Sequence, residues 1–267
     1  MRKGLKFFAA FAAVALPSAP AIAQSADAPA RTRVMLGVQL TPKVPGAADL
    51  GLGPFIEVAR TRGDAPFEFE APDESFGFPV LDAGGVKVGP ALSLTGKRNR
   101  AAIDADLPAV SRTFEAGVFA QTMVTPALRL RGEVRRGIGG HDGWIGEISA
   151  DYVARDGDAW LLSVGPRVTL ADARFHRAWY GVTPAAALTS GLAPYRPGGG
   201  VSAVGVAAGG LVQLDKRWGL APYARYDRLV GDAARSPIAR GPGSRGQPAV
   251  GIGLSYIFGR STGPAKR

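Results

Sequence analysis

Residues 127–143 read ALRLRGEVRRGIGGHDG. Leu128, Leu130, Gly132 and Val134 fall on one parity, and Arg129, Arg131, Glu133 and Arg135 fall on the other. Successive side chains of a strand point to opposite faces, so this alternation makes a strand with one apolar and one charged face. The run then breaks into Gly137, Gly139, Gly140, His141, Asp142 and Gly143, a turn cluster. Any fold containing this strand must cover the apolar face and enclose or hydrate the charged one.

The pattern recurs along the chain. Val34, Leu36, Val38 and Leu40 alternate with Arg33, Met35, Gly37 and Gln39, and Ile56 and Val58 with Glu57 and Ala59. A short strand is expected near Pro66–Glu70, and a second run leads to Asp82. Val86, Val88, Leu92 and Leu94 form another, in which Pro90 removes a ladder donor and marks a bend. Further strands are expected at 113–120, 144–152, 160–168, Arg174–Gly181, 201–213, 218–227 and 250–258. Short turns at Thr125-Pro126, Arg155–Asp158 and Asp215–Arg217 alternate with long polar loops at 96–111, 183–200 and 231–247. One helical turn is expected at Pro184–Leu188.

Short turns at one end and long loops at the other describe a transmembrane β-barrel. In lipid every backbone polar group needs a partner, and a closed sheet supplies one without helices. The expected fold class is therefore all-β: a closed antiparallel transmembrane β-barrel. Even strand counts favour about 12, including Arg174–Gly181, with about 10 as the alternative. Trp144, Tyr152, Trp160, Trp218, Tyr226, Tyr256 and Phe258 mostly mark strand ends on the apolar parity, where interfacial girdles form. The competing reading is a soluble periplasmic β-sandwich or barrel.

The N-terminus bears on that choice. Arg2, Lys3 and Lys6 precede an apolar run, Phe7–Leu16, and small residues ending in Ala21-Ile22-Ala23. This is the layout of a secretory signal peptide cleaved before Gln24. The expected organisation is a signal peptide over 1–23, a short lead over 24–32, a barrel over 33–258 and a tail over 259–267. The chain has no cysteine, so an exported fold here uses no disulfide and no thiolate chemistry. The formal charge of +10 comes from Lys and Arg spread among Asp and Glu. No basic cluster with stacking aromatics forms a nucleic-acid module. An anionic envelope surface, or pairing inside the fold, accounts for the basic excess better.

The chain resembles the MipA/OmpV family of Gram-negative outer-membrane proteins. The resemblance rests on GLGPFIEV (51–58), DAGGVKVGPALSL (82–94), ALRLRGEVRRGIGGHDG (127–143) and LLSVGPRVTLADARF (161–175). It continues through YGVTP (180–184), YRPGGG (195–200), YARYDRLVGDAARSPI (223–238) and LSYIF (254–258). It implies an outer-membrane barrel inserted by the barrel-assembly machinery. For some members it also implies a scaffold that brings a murein transglycosylase together with a murein polymerase. Family members often stop at the terminal aromatic, whereas Gly259–Arg267 follows Phe258 here.

The motifs with catalytic overtones are weak. The glycine clusters at 137–143 and 241–246 do not sit between a strand and a helix, so turn chemistry explains them better than phosphate binding. His141-Asp142 has two members of a hydrolase triad, as a small outer-membrane lipid hydrolase would, but neither His141 nor His176 has a nucleophile motif beside it. No catalytic residue, metal or cofactor is expected. The informative set is the inward charges: Glu57, Lys87, Glu115, Arg129, Arg131, Glu133, Arg135, Glu147, Asp151, Arg167, Arg225 and Asp227. Mixed signs in a narrow barrel pair and fill the interior; the alternative is a narrow channel for small polar or charged solutes.

Overall fold

A computed structural model describes residues 28–100 and 102–259. The segment expected to be a signal peptide, 1–23, the first four residues of the expected lead, 24–27, and the tail from residue 260 lie outside the described residues. The strands are β1 (Ala30–Pro42), β2 (Leu50–Arg62), β3 (Phe76–Gly77), β4 (Leu81–Ala83), β5 (Val86–Thr95) and β6 (Thr113–Thr125). They continue as β7 (Leu128–Ile138), β8 (Trp144–Asp156), β9 (Trp160–Ala171), β10 (Gly200–Gln213), β11 (Trp218–Leu229) and β12 (Gly246–Phe258). Ala30–Thr32, read above as lead, already belong to β1.

These form one antiparallel 12-stranded sheet curled into a near-barrel, in the order β2-β1-β12-β11-β10-β9-β8-β7-β6-β5-β3, with β4 beside β5. From β5 onward each strand pairs with its successor, and β12 returns to pair with β1 over Thr32–Leu40. Connections 126–127, 157–159 and 214–217 lie at one end. Connections 43–49, 96–112, 139–143, 172–199 and 230–245 lie at the other. The end with short turns also holds the first residue of β1, Ala30, and the last of β12, Phe258.

The two parities of β7 separate as the alternation requires. Leu130 is 42 % exposed and Val134 43 %, whereas Arg129 is 2 % and Arg131 6 % exposed. Around the wall Leu36, Ile56, Val118, Ile148, Leu162, Val206 and Ile252 show the same outward exposure. A soluble protein rarely exposes so continuous an apolar belt, and a lipid-facing barrel requires one. At the short-turn end the aromatics stack: Trp218 on Tyr256 at 4.8 Å between ring centroids, and Tyr256 on Phe258 at 4.7 Å. Arg217 reaches the Tyr256 hydroxyl at 2.6 Å, holding the girdle to the adjacent turn. No described helix is long and apolar enough to cross a membrane.

Arg174–Gly181 is not a strand. It is the helix α1 (Ala173–Tyr180). Asp172 caps it: its carboxylate accepts from the Arg174 and Phe175 N–H groups at 3.0 and 2.8 Å. Phe175, His176, Trp179 and Tyr180 are the buried positions, a helical spacing that alternation counting over so short a stretch misread. The twelfth strand is reached through β3 and β4 instead. The helical turn expected at Pro184–Leu188 is α2 (Pro184–Ser190), with Thr183 as its cap. The loop read at 231–247 holds α3 (Gly231–Arg235) and α4 (Pro237–Arg240).

These long-loop elements build a cap with its own apolar core. Val44, Val110, Phe175, Trp179, Tyr180 and Ile238 pack in one cluster contributed by four different connections. Arg98 crosses from the β5–β6 loop to the Trp179 carbonyl at 2.9 Å, and Thr189 bonds the Asp106 carbonyl at 3.1 Å. Because β5–β6 and β9–β12 stand on different sides of the wall, these contacts roof the mouth.

His176 in this cap is fully buried, with Nδ1 against the Gly198 carbonyl at 2.5 Å and Nε2 without a hydrogen-bond partner among the described residues. Burial pushes its imidazole below the usual histidine range, and the Gly198 carbonyl, Asp232 and Asp172 pull only partly back. The unfolded imidazole therefore binds a proton that the folded one resists. Its contribution is complete above about pH 6.5 and declines as the pH falls. Protease cleavage within 172–199 should rise as the pH drops from 7 toward 5, and His176→Gln should flatten that rise.

Pro66–Glu70 is not a strand either. Residues 64–75 leave the wall at the end of β2 and run through the barrel interior before the chain rejoins the sheet at Phe76, opposite Leu92. Pro66 and Pro72 deny the segment two ladder donors, and its carboxylates find arginines inside. Phe67 is 1 % exposed and Phe69 7 %, both packed by wall residues.

Candidate functional site

The candidate site is the barrel interior and the segment that fills it. Alternation aims the odd-numbered residues of β7 inward, and the registers with β6 and β8 set Arg129 opposite Asp151, Arg131 opposite Gln121 and Glu133 opposite both Phe119 and Glu147. Isolated ions buried in such a space are very costly, so each charge needs partners.

Near the cap, Glu115 accepts from Thr95 at 2.5 Å, from Arg135 at 2.9 Å, and meets His141 Nε2 at 3.2 Å. Arg135 also pairs with Glu133. At mid-height Asp73 of the inner segment takes a two-pronged bond from Arg167, at 2.8 and 3.0 Å, and a bond from Arg225 at 2.8 Å. Arg167 also pairs with Asp151 at 2.9 Å, and Arg225 with Glu147 at 2.7 Å and Asp227 at 2.6 Å. Glu74 pairs with Arg129 and lies 3.6 Å from Arg131. Arg131 bonds Glu133 at 2.9 Å, and the Ser75 hydroxyl donates to Glu133 at 2.7 Å. Gln121 accepts from both Arg129 and Arg131 at 2.5 and 2.9 Å. Toward the short-turn end, Arg33 pairs with Glu57 at 2.9 Å and Lys87 with Glu68 at 2.7 Å.

Each of the twelve charges singled out in the sequence thus has a counter-ion among the described residues. What the strand pattern did not reveal is that Glu68, Asp73 and Glu74, from the segment assigned to the wall, are among those counter-ions. The signal was present in residues 65–75, APFEFEAPDES, where acids and aromatics concentrate in an otherwise basic chain. The aromatics are held by cations: the Arg31 and Arg33 guanidinium groups lie 5.0 and 4.8 Å from the Phe67 ring centre, and Arg129 5.2 Å from that of Phe69.

Beside the segment lies a cavity of about 30 Å³, lined by Arg33, Glu57, Phe69, Glu70 and Pro72 among others. Toward the short-turn end a recess of about 330 Å³ opens, lined by Arg60, Phe67, Glu68, Lys87, Arg129 and Arg155 among others. Among the described residues no hydroxyl hydrogen-bonds to either imidazole. Both His141 ring nitrogens are engaged, Nε2 with Glu115 and Nδ1 accepting from the Gly143 N–H at 3.0 Å, and Phe175 covers the ring edge-on at 4.9 Å. His176 lies in the cap, held by Gly198.

Residues 34–258 match the family model described as MltA-interacting protein MipA. The chain belongs to the MipA family. It is an outer-membrane β-barrel of that family, and the match spans the wall from β1 to the final aromatic of β12. No curated protein is similar to it in sequence. Solved outer-membrane barrels are similar in shape at low identity. The KdgM porin is 12 % identical, with a TM-score of 0.36, covering 86 % of this chain and 99 % of the porin. An outer-membrane channel from Pseudomonas putida F1 is 10 % identical, with a TM-score of 0.39, covering 90 % of this chain and 99 % of the channel.

Proposed function

We propose that this MipA-family barrel works without catalysis, as a sealed platform in the Gram-negative outer membrane. Its periplasmic end would hold a murein transglycosylase and, through it, a murein polymerase. The observation that carries this reading is the occupied interior: residues 64–75 thread the barrel, with Asp73 and Glu74 paired to Arg129, Arg167 and Arg225, under a cap packed around Trp179. A barrel filled this way serves as an anchor rather than an open passage, and the family's own name describes a partner protein rather than a solute. The short-turn end, taken as periplasmic from the usual layout of such barrels, offers the recess beside Arg60, Lys87 and Arg155 to that partner.

Two measurements test it. Solubilised full-length protein incubated with periplasmic extract should retain a murein transglycosylase, and retention of no murein enzyme would refute the scaffold. In planar bilayers the folded barrel should give no stepwise conductance at neutral pH. Regular steps from the pure protein would favour the channel for small polar or charged solutes instead.

A further inference from the structure

The sheet path begins at β2 and ends at β3. Every neighbouring pair along it is antiparallel, and with eleven strands on the path its two ends run in the same direction. Among the described residues no ladder joins β2 to β3 or β4. An unpaired strand edge at bilayer depth is costly, and an antiparallel meander closes here only through one more strand of opposite direction. The chain between β2 and β3 is the inner segment, and it runs in that opposite direction.

We propose that residues 65–71 have a second position, in the wall beside β2, so that the segment acts as a gate between a filled barrel and one whose interior opens to the periplasm beneath the cap. The reading is independent of which partner the periplasmic end meets. Three observations support it. The turn that would launch the strand already exists: the Ala65 N–H donates to the Arg62 carbonyl at 3.3 Å across Gly63-Asp64, and Gly63 has φ +55°. Glycine with positive φ at the first central position is the mark of a two-residue hairpin turn. Continuing that register sets Phe69 against Val58 and Ala71 against Ile56, whose side chains are 50 % and 61 % exposed on the lipid side. Phe67, Phe69 and Ala71 then face lipid, while Glu68 and Glu70 face inward, as a barrel strand requires. Opposing the move, the Asp73 and Glu74 ion pairs hold the segment inside.

The absence of cysteine makes disulfide trapping direct. In full-length protein in outer-membrane vesicles, scored on the unheated, folded gel band, two pairs report the two positions. Pro72→Cys with Gly209→Cys reports the interior position, where a Cβ on Gly209 lies 2.9 Å from Pro72 Cγ. Val58→Cys with Phe69→Cys reports the wall position, because in the observed structure Val58 points outward and Phe69 inward. Both should crosslink under mild oxidation, and adding Asp73→Asn with Glu74→Gln should raise the Val58–Phe69 yield several-fold. Full crosslinking of the interior pair with no wall crosslink, even in the charge-neutralised protein, would overturn the proposal. So would a bond between Val58→Cys and Leu81→Cys in place of the wall pair, which would close the sheet directly, or a Val58→Cys dimer, which would give the edge to a second copy.

Discussion

Asp73→Ala should lower the unfolding free energy of the barrel by about 3–5 kcal/mol, the range for stripping one partner from a buried ion pair. Asp73 is shared by two arginines, and its side chain is 4 % exposed, that of Arg167 1 %. Removing it leaves Arg167 with Asp151 alone, and Arg225 with Glu147 and Asp227. Those remaining partners place the expected loss toward the lower half of the range. A urea titration of detergent-refolded protein followed by tryptophan fluorescence measures it. Asp73→Asn, which keeps hydrogen-bonding capacity, should lose less. Replacing both Asp73 and Arg167 by leucine should recover part of the loss, since an apolar pair removes the orphaned charge. A parent-like midpoint for Asp73→Ala would show that the carboxylate does not hold the segment.

The second large effect is on the other face of the wall. Leu130→Arg should cost about 2–4 kcal/mol if the residue meets the bilayer midplane, as a lipid-facing cation in a barrel does there. Leu130 pairs with Ala150 and Thr122 and shows its side chain outside. Arg131→Leu, one residue away, acts on the interior: it takes a donor from Gln121 and Glu133 and leaves the membrane face unchanged. Membrane insertion, read by the shift between heated and unheated gel migration of protein added to vesicles, should drop more for Leu130→Arg than for Arg131→Leu, whose acidic partners Glu133 and Glu74 keep Arg135 and Arg129. Equal folding of Leu130→Arg and parent would mean the facing of β7 is reversed.

Most of the wall was legible because period-two alternation is a local signal. Leu128–Val134 and Val34–Leu40 declare their faces within eight residues, and the turns between them carry their own chemistry. What was illegible depended on distant partners. Phe67-Glu68-Phe69-Glu70 alternates as well as many of the wall strands, so nothing local tells an interior segment from a wall strand. The difference lies in Arg167 and Arg225, which follow by more than ninety residues in the chain. Ala173–Tyr180 failed for the opposite reason: eight residues hold two turns of helix, too few for periodicity to outweigh three aromatics that also suit a strand. The Asp172 cap was the better signal, and it was visible in the sequence. Of the interior, the charged wall residues could be read from parity, while their acidic counter-ions on residues 64–75 could not.

The pairing of β1 with β12 places the first and last strands side by side. Translation and export deliver β1 first, yet its neighbour is the last strand of the sheet, over Val250–Phe258. Joining segments so far apart in the polymer carries a ring-closure entropy on the order of 5 kcal/mol. The protein must therefore cross the periplasm unclosed, its apolar belt shielded by something other than itself. Truncation after Ser255, which removes Tyr256 and Phe258 with everything that follows, should accordingly stall the chain short of the membrane rather than shorten one edge.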